Sequence, residues 1–451
     1  MDSSRYKAPG VYVEQVSSGT FPIVGVGTST AGFIGVMPEN FTFKVKDQDG
    51  KEKSVPIRPA VKVGEVVLCT NFTEFKEKFL TLDEPKAPNS SDNNKANAAL
   101  LDRAGGFVGD MEDDKGPFQS HPRYLAHAVY GFFNNGGTRC YVGRVAPPPP
   151  PPASSASRPP PEGGEVAARA ASEEAKVDIL RVLETFETID EIAIVAAPGI
   201  VDKAQQNLLI SHCQKPGMED RVAVLDGPSE AQPKRDEDRP GNSDYAAYYY
   251  PWIKVFDPVD GEPLAVPPSG HVAGMYARVD TQRGVHKAPA NEVLLGALDV
   301  SLRLSRADQE GLNPVGINCI RVLNGNVRVW GARTLGGDAN HEFKYINVRR
   351  LFNFLRESID QGTQWAVFEP NDPLLWARIT RNVSAFLTSV WSAGGLFGGT
   401  PQEAFYVKCD AETNPPANRD NGIVVAEVGV AITRPAEFVV FRLSQSSGLK
   451  R

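Results

Sequence analysis

Five cysteines in 451 residues, Cys69, Cys140, Cys213, Cys319 and Cys409, are odd in number, far apart in the chain and without a C-x-x-C pair. That spacing signals neither a disulfide framework nor a zinc site, and it predicts synthesis and assembly in a reducing cytoplasm. Histidine is also scarce, at six residues. His121 and His127 are six apart and do not share a helix face, and His212 beside Cys213 has no acidic or basic partner close in sequence, so core or surface duty is expected for all three. Long apolar runs are missing. Even Ile423 to Ile432 is interrupted by Glu427, so no membrane span is expected, and the first residues lack the basic stretch and apolar core of an export signal. Positive charge is not in excess either: 48 Lys plus Arg against 55 Asp plus Glu give a net charge of −7, which favours solubility and argues against a nucleic-acid coat.

The pieces of a catalytic or cofactor site are short as well. Gly25, Gly27, Gly32 and Gly35 miss the G-x-G-x-x-G spacing and the lysine of a phosphate loop, and close packing of a strand against a helix accounts for them better. Asp47, Asp49 and Glu52 lack the further ligands of an EF-hand and read as a hairpin turn. Glu173-Glu174 and Asp236-Glu237-Asp238 lie in polar surroundings, whereas paired catalytic carboxylates need burial to separate their pKa values. The expectation is no enzyme, no cofactor and no metal.

What the chain does contain is alternating helix and strand. Its length suggests two or three domains with ample core. Val11, Val13 and Gln15 alternate with Tyr12, Glu14 and Val16, the pattern of one short strand, and Ile23 to Met37 predicts a strand buried in an α/β sheet. A hairpin follows around Asp49-Gly50, flanked by Phe41, Phe43 and Val45 and by Val55 and Ile57, and then a helix through Phe72, Phe75 and Phe79 opened by Asn71 or Thr73. Pro85 to Asp114 is expected to be a solvent-facing loop. Leu125 to Phe133 predicts a helix ended by Gly136-Gly137 before a strand over Cys140–Val145. Pro147 to Pro152 admit neither helix nor central strand and predict a stiff exposed spacer. Beyond it, helices are expected through Val177–Phe186 and Leu208–Cys213, strands over Ile192–Ala197 and Arg221–Leu225, a loop at 227–243, and a helix over Ala288–Arg306.

The densest signals lie between Asn318 and Phe441. Ile317–Val322 and Asn326–Trp330 are parted by Asn324-Gly325, which predicts a hairpin. Val348, Leu351, Phe352, Leu355 and Ile359 recur at helical spacing. Trp365–Glu369 is a strand candidate. Asn371-Asp372-Pro373 offers a cap and a first-turn proline for a helix whose stripe is Leu375, Ile379, Val383, Phe386, Leu387 and Val390, and glycines 394–399 end it. Only strands and turns are expected afterwards. Phe438 to Leu443 is apolar on both faces and has no hairpin partner nearby, so adding it to a neighbouring chain's sheet would satisfy it.

The ordered wording Val329-Trp330-Gly331-Ala332-Arg333-Thr334-Leu335, Asn347-Val348-Arg349-Arg350-Leu351, Phe368-Glu369-Pro370-Asn371, Gly399-Thr400-Pro401 and Pro435-Ala436-Glu437-Phe438 resembles the C-terminal core of contractile tail sheath proteins. Tyr6–Glu14, Gly25–Gly35 and Phe132–Val142 are similar to the opening and middle of the same family. The resemblance implies an α/β (mixed α+β) multi-domain subunit. Its parts would be an N-terminal linker arm at 1–20, an α/β outer domain at 21–315 with an insertion at 40–118 and a proline-rich loop at 146–165, an inner core domain facing a tube at 316–433, and a C-terminal linker arm at 434–451. It further implies a structural subunit that polymerises into stacked hexameric rings around an inner tube, and that contracts. Its partners would be copies of itself, the tube, and the baseplate and terminator or cap proteins of a phage tail or injection particle, with no direct contact to nucleic acid or membrane. Val11, Tyr12, Val13, Glu14, Phe438, Val439, Val440 and Phe441 would be the inter-subunit strand arms. Arg378 and Arg381 are either a contact to the tube or a solvated helix face. An α/β enzyme would require a clustered acid, base or nucleophile, and a surface adhesin an export signal or paired cysteines.

Overall fold

The computed structural model describes residues 22–46, 51–83, 97–101, 104–105, 107–108, 122–147, 178–229 and 239–440. Expectations on 11–16, the proline run beyond Pro147, His121, Asp47, Asp49, Glu173-Glu174, Asp236–Asp238 and Phe441–Leu443 fall outside these residues.

A nine-stranded mixed sheet organises the larger part of the chain. From edge to edge it runs Glu292–Val293, Asn326–Val329, Ile317–Leu323, Ala246–Tyr250, Val222–Asp226, Ile194–Ala196, Ala31–Val36, Cys140–Val145 and Val66–Cys69. The six strands from Ile317–Leu323 to Cys140–Val145 are parallel, and antiparallel strands close both edges. Parallel strands need cover on both faces, and the sequence supplies it. One face packs on helices Pro122–Asn134 and Ser269–Arg283 through Leu125, Val129, Phe132, Val272 and Tyr276; the other packs on the helix at 178–186 and on Lys203–Gln214 through Val182, Phe186, Leu209 and Cys213.

The glycines of the central strand explain how closely those layers approach. A Cβ on Gly32 would lie 2.7 Å from the Phe186 ring, and one on Gly35 would lie 2.2 Å from Leu125. The two residues point to opposite faces, so each helix layer uses one of them. Strand–helix packing, and not phosphate binding, is what Gly32 and Gly35 serve.

Several expected elements form as read. Asn71 caps Phe72–Phe79, with its side chain accepting from Glu74 N. Hairpin Phe41–Lys46 with Glu52–Ile57 is paired throughout, and hairpin Ile317–Leu323 with Asn326–Val329 turns at Asn324 and Gly325, both at positive φ as the predicted turn requires. Helices Ile346–Thr363 and Pro373–Ser392 are present, the latter capped by Asp372 with Pro373 in its first turn.

Other expectations are corrected. Ala288–Arg306 is not a helix: Asn291 and Gly296 at positive φ break it into strands Glu292–Val293 and Ala297–Val300. The latter joins Ile253–Asp257 and Glu262–Val266 in a three-stranded sheet. Trp365–Glu369 is no strand, since Gln364–Ala366 is a 3-10 turn followed by Phe368 at φ 66°. The region after the glycines includes two short helices, Pro401–Ala404 and Pro416–Asp420, each begun by a proline suited to that place. Within the expected solvent-facing loop, Leu100, Ala104, Phe107 and Val108 are buried, and Phe107 packs on Phe72, His127 and Tyr130. Their apolar spacing is too sparse to be seen in a polar, proline-rich stretch.

Two compact units result: residues 26–357 together with those from 432 onward, and residues before 26 together with 358–431. The division falls at 357/358, inside helix Ile346–Thr363, and the hairpin at 317–329 belongs to the nine-stranded sheet. The second unit is built on helix Pro373–Ser392, whose buried stripe includes Leu375, Trp376, Ile379, Val383, Phe386, Leu387 and Val390. Strands Phe405–Lys408 and Glu427–Val430 form a two-stranded hairpin there, and each pairs with no other named strand.

Candidate functional site: the C-terminal arm and its root

The segment after Ala431 leaves the small hairpin and runs without regular structure to Val440. Phe438, Val439 and Val440 are all largely exposed, three consecutive apolar side chains on a solvent-facing segment. A run of this kind marks a surface meant to be covered.

One residue before it the chain is held fast. Glu437 accepts from Arg333 Nε at 2.8 Å and from a terminal guanidinium nitrogen of Arg333 at 2.9 Å, a bidentate pair. Asn313 Nδ2 donates to the same carboxylate at 2.7 Å and the Tyr345 hydroxyl at 2.8 Å. Burial would raise the Glu437 carboxyl, but the hydrogen bonds of Arg333, Asn313 and Tyr345 and the charge of Arg333 prevail and hold it below its ordinary value. Arg333 in turn donates to the carbonyl of Asn313 at 3.0 Å and to Asp338 at 3.1 Å. Its backbone is clamped on both sides by the Asn318 amide, which accepts from Arg333 N and donates to Arg333 O, each at 2.8 Å. Arg333 thus ties elements of the fold together, with Glu437 as the partner the sequence did not reveal.

A second buried pair fixes the described N-terminal segment. Arg350 donates to both carboxylate oxygens of Asp280, at 3.0 and 2.6 Å, and to the carbonyl of Thr28 at 2.9 Å, while the Thr28 hydroxyl donates to Asp280 at 2.6 Å. The guanidinium lies 4.6 Å from the centre of the Tyr276 ring. Burial opposes charge on Arg350, but Asp280 outweighs it and raises the guanidinium pKa.

Arg378 is half-buried on helix Pro373–Ser392. It reaches Glu369 at 3.4 Å and lies 5.7 Å from the Trp365 ring, so part of its charge is spent within its own unit. Arg381 is exposed one turn on. Nearby, Phe368 is fully exposed and Val367 and Leu374 largely so.

The candidate catalytic groups are placed otherwise. His127, His212 and His271 are buried. Burial pushes His271 down to about 3, with a smaller push from His127, and burial with the Arg221 charge pushes His212 down to about 4. The partners that His212 lacks close in sequence are supplied by the fold: Arg221 is 3.1 Å from its Nε2 and Glu187 3.8 Å from its Nδ1. Cys69 and Cys140, distant in sequence, are register partners on adjacent strands, yet both are free thiols. Burial pushes Cys69 up to about 11 and Cys140 well above its ordinary value, so both serve as neutral packing residues. Asp226 ends a central parallel strand, on the side of the sheet where doubly wound folds take ligands. Its buried carboxylate accepts from Ser269 N at 2.8 Å, Ser269 Oγ at 2.7 Å and Gly199 N at 3.2 Å. Burial pushes it up to about 7 against those bonds. Among the described residues, no group of three or more His, Cys, Asp or Glu is arranged to hold a metal ion, and no helix is long and apolar enough to cross a membrane.

The phage tail sheath protein central domain family matches residues 173–335, and the phage tail sheath C-terminal domain family matches residues 338–446, together more than half of the chain. The chain belongs to the contractile tail sheath family. Among curated sheath proteins, the tail sheath protein of Vibrio phage KVP40 is 29% identical over 186 residues, covering 40% of this chain and 27% of that protein. That of Burkholderia phage BcepMu is 27% identical over 214 residues, covering 46% and 44%. The alignments thus span less than half the length of these relatives. Among solved structures, the sheath of an extracellular contractile injection system (PVC) in the contracted state is 25% identical with a TM-score of 0.65, covering 98% of both chains. The helical sheath of the anti-feeding prophage in the contracted state is 24% identical with a TM-score of 0.63, covering 98% of this chain and all of that one. The two matches together contain Asn313, Arg333, Asp338, Tyr345 and Glu437 of the first clasp and Asp280 and Arg350 of the second, whereas Thr28 lies outside both.

Proposed function

We propose that the chain is a structural, non-enzymatic sheath subunit: copies stack as hexameric rings into a helical cylinder around an inner tube, and contraction drives the tube through a target envelope. The observation that carries this reading is the apolar run Phe438–Val440, exposed yet rooted one residue earlier by a four-donor clasp on Glu437. A disordered tail would need no such root, and a segment completing its own fold would not be exposed. A strand presented this way pairs with the sheet of a second copy, gaining both backbone hydrogen bonds and side-chain cover. Val11–Glu14 is proposed as the matching arm at the other end. The extended cylinder is then a metastable packing, and the free energy released per subunit on contraction is summed along the lattice.

The remaining partners are the tube, approached by helix Pro373–Ser392 with Arg378 and Arg381, and the baseplate and cap proteins of the same particle. Assembly takes place in the cytoplasm, before release of the particle. Negative-stain microscopy of the purified full chain tests the reading. Long striated hollow cylinders are expected, and single compact particles under all assembly conditions, including with its tube and baseplate, would overturn it.

A further inference from the structure

The two clasps converge on one short piece of chain. Backbone bonds from Ile346 N to Ala332 O and from Thr334 N to Lys344 O, each 2.9 Å, close the segment between residues 332 and 346 and set Arg333 and Tyr345 side by side as bridge partners. Both side chains point at Glu437. Asp338 braces the closure from inside, pairing with Arg333 at 3.1 Å and Lys344 at 2.6 Å. Ile346 then opens a helix, and Arg350, in its second turn, grips Asp280 and Thr28. From Tyr345 to Arg350 is five residues, a rise of roughly 7.5 Å along a helix. Chain entry at Thr28 and chain exit at Glu437, 409 positions apart in sequence, are therefore fastened to neighbouring points of one element.

We infer that residues 332–350 are a strut on which both terminal segments are rooted, so that tension between the two ends crosses a turn and a half of helix instead of the nine-stranded sheet. This rests on the reading of the ends as inter-subunit arms and adds what that reading lacks: how a subunit pulled at both ends stays folded. Two features suit the role. The C-terminal root is a bidentate arginine–carboxylate pair, which has to lose two aligned bonds at once to open, and at the other root Thr28 is tied by one hydrogen bond to each member of the bidentate Arg350–Asp280 pair. Each root is also largely buried, so salt screens it little.

The strut is testable on the single full-length chain, independently of assembly. Handles attached at S4C and S447C allow it to be held at constant load in an optical trap, since the native thiols are buried and unreactive. The unmodified chain is expected to open first in a short step that frees only a few residues at a root, with the sheet still folded. Glu437→Gln and Asp280→Asn should each speed that first step at least about tenfold, because each removes the charge of a buried pair. Asp338→Asn, which touches Arg333 but neither chain end, should change it far less. If Asp280→Asn does not fold, Thr28→Val weakens the same root from the tail side and should speed the step more modestly. A first step that is long, or one equally fast in the unmodified chain and in Glu437→Gln, overturns the strut. A strut that behaves as described, in a Glu437→Gln chain that still assembles and contracts normally, instead overturns the arm reading on which it rests.

Discussion

The unit built on the nine-stranded sheet and the unit at 358–431 treat apolar surface differently. In the first, two large cores line the two faces of the sheet, and members of both come from residues no later than Ile346. In the second, the stripe of helix Pro373–Ser392 is buried, but Val367, Phe368, Leu374, Phe397, Tyr406 and Ile423 are all exposed within 74 residues. Six large exposed apolar side chains in so short a stretch exceed what isolated surface hydrophobes explain. The comparison teaches that the sheet unit, apart from the run Phe438–Val440 and scattered residues such as Phe256 and Leu298, buries its apolar side chains in two cores, whereas the smaller unit leaves a larger share of its own exposed. One residue shows the difference in its backbone: Phe368 holds φ at 66°, a conformation that costs a bulky residue about 1 kcal/mol or more, to present a bare ring to solvent.

The sharpest way to break this contrast is to cut the chain. Removing Phe438–Arg451 leaves Glu437 and its clasp in place, so the melting temperature should scarcely move while assembly into cylinders, read by light scattering, is lost. Removing Arg434–Arg451 takes the clasp as well and leaves Arg333 buried with a reduced set of partners, an added cost of about 3 kcal/mol in chemical denaturation. Equal melting of both truncations would show that the root contributes nothing to the fold.

Substitutions come next. Phe33→Ala, at the fully buried centre of the sheet, should cost about 3–5 kcal/mol, whereas Phe368→Gly should leave the isolated chain unchanged or more stable by up to about 1 kcal/mol. Phe368→Gly should still impair assembly. A destabilised monomer carrying Phe368→Gly would mean that the ring packs within its own unit after all.

The sheet unit should also show a distinctive pH response. Asp226, at about 7 in the fold against roughly 3.9 unfolded, binds its proton more tightly when folded; its contribution is complete below about pH 4 and is lost as pH rises to 7. His212, at about 4 against roughly 6.5 unfolded, works in the opposite sense: its contribution is complete above about pH 6.5 and is lost as pH falls toward 4. Asp226→Asn should remove the first effect, gaining about 2 kcal/mol relative to the unmodified chain between pH 5 and pH 8. Denaturation midpoints across that range check it, and parallel curves for the two proteins would deny it. The smallest effect is expected from Arg381→Ala, within about 0.5 kcal/mol for the isolated chain, with any larger change confined to the salt dependence of binding to the tube.

Much of the fold was legible because its signals are local. Alternation gave the hairpins, helical spacing gave the stripes on Ile346–Thr363 and Pro373–Ser392, and the Asp372-Pro373 pair fixed a helix start to the residue. Failures occurred where conformation was decided by single residues at positive φ, as at Asn291, Gly296 and Phe368. The spacing of Val293, Leu294, Leu298 and Leu302 suits a helix, and nothing periodic records that the backbone turns left-handed twice within it. The roots were hidden for another reason. Arg333 and the Pro435–Phe438 wording stood out individually, but a pair 104 positions apart leaves no local trace, and the same is true of Thr28, Asp280 and Arg350.

Fixing Glu437 also fixes a phase. When residues beyond it pair as a strand, their side chains alternate, so Phe438 and Val440 fall on one side and Val439 on the other. The clasp decides which side is which before any neighbour arrives. A slip of one residue would turn the arm's whole apolar pattern over, and an arm tied down only by its own hydrophobicity would be free to make that slip. On the arm reading proposed above, a chain held at the residue immediately before the apolar run would enter a receiving sheet in one reading frame, the same for every subunit of a lattice.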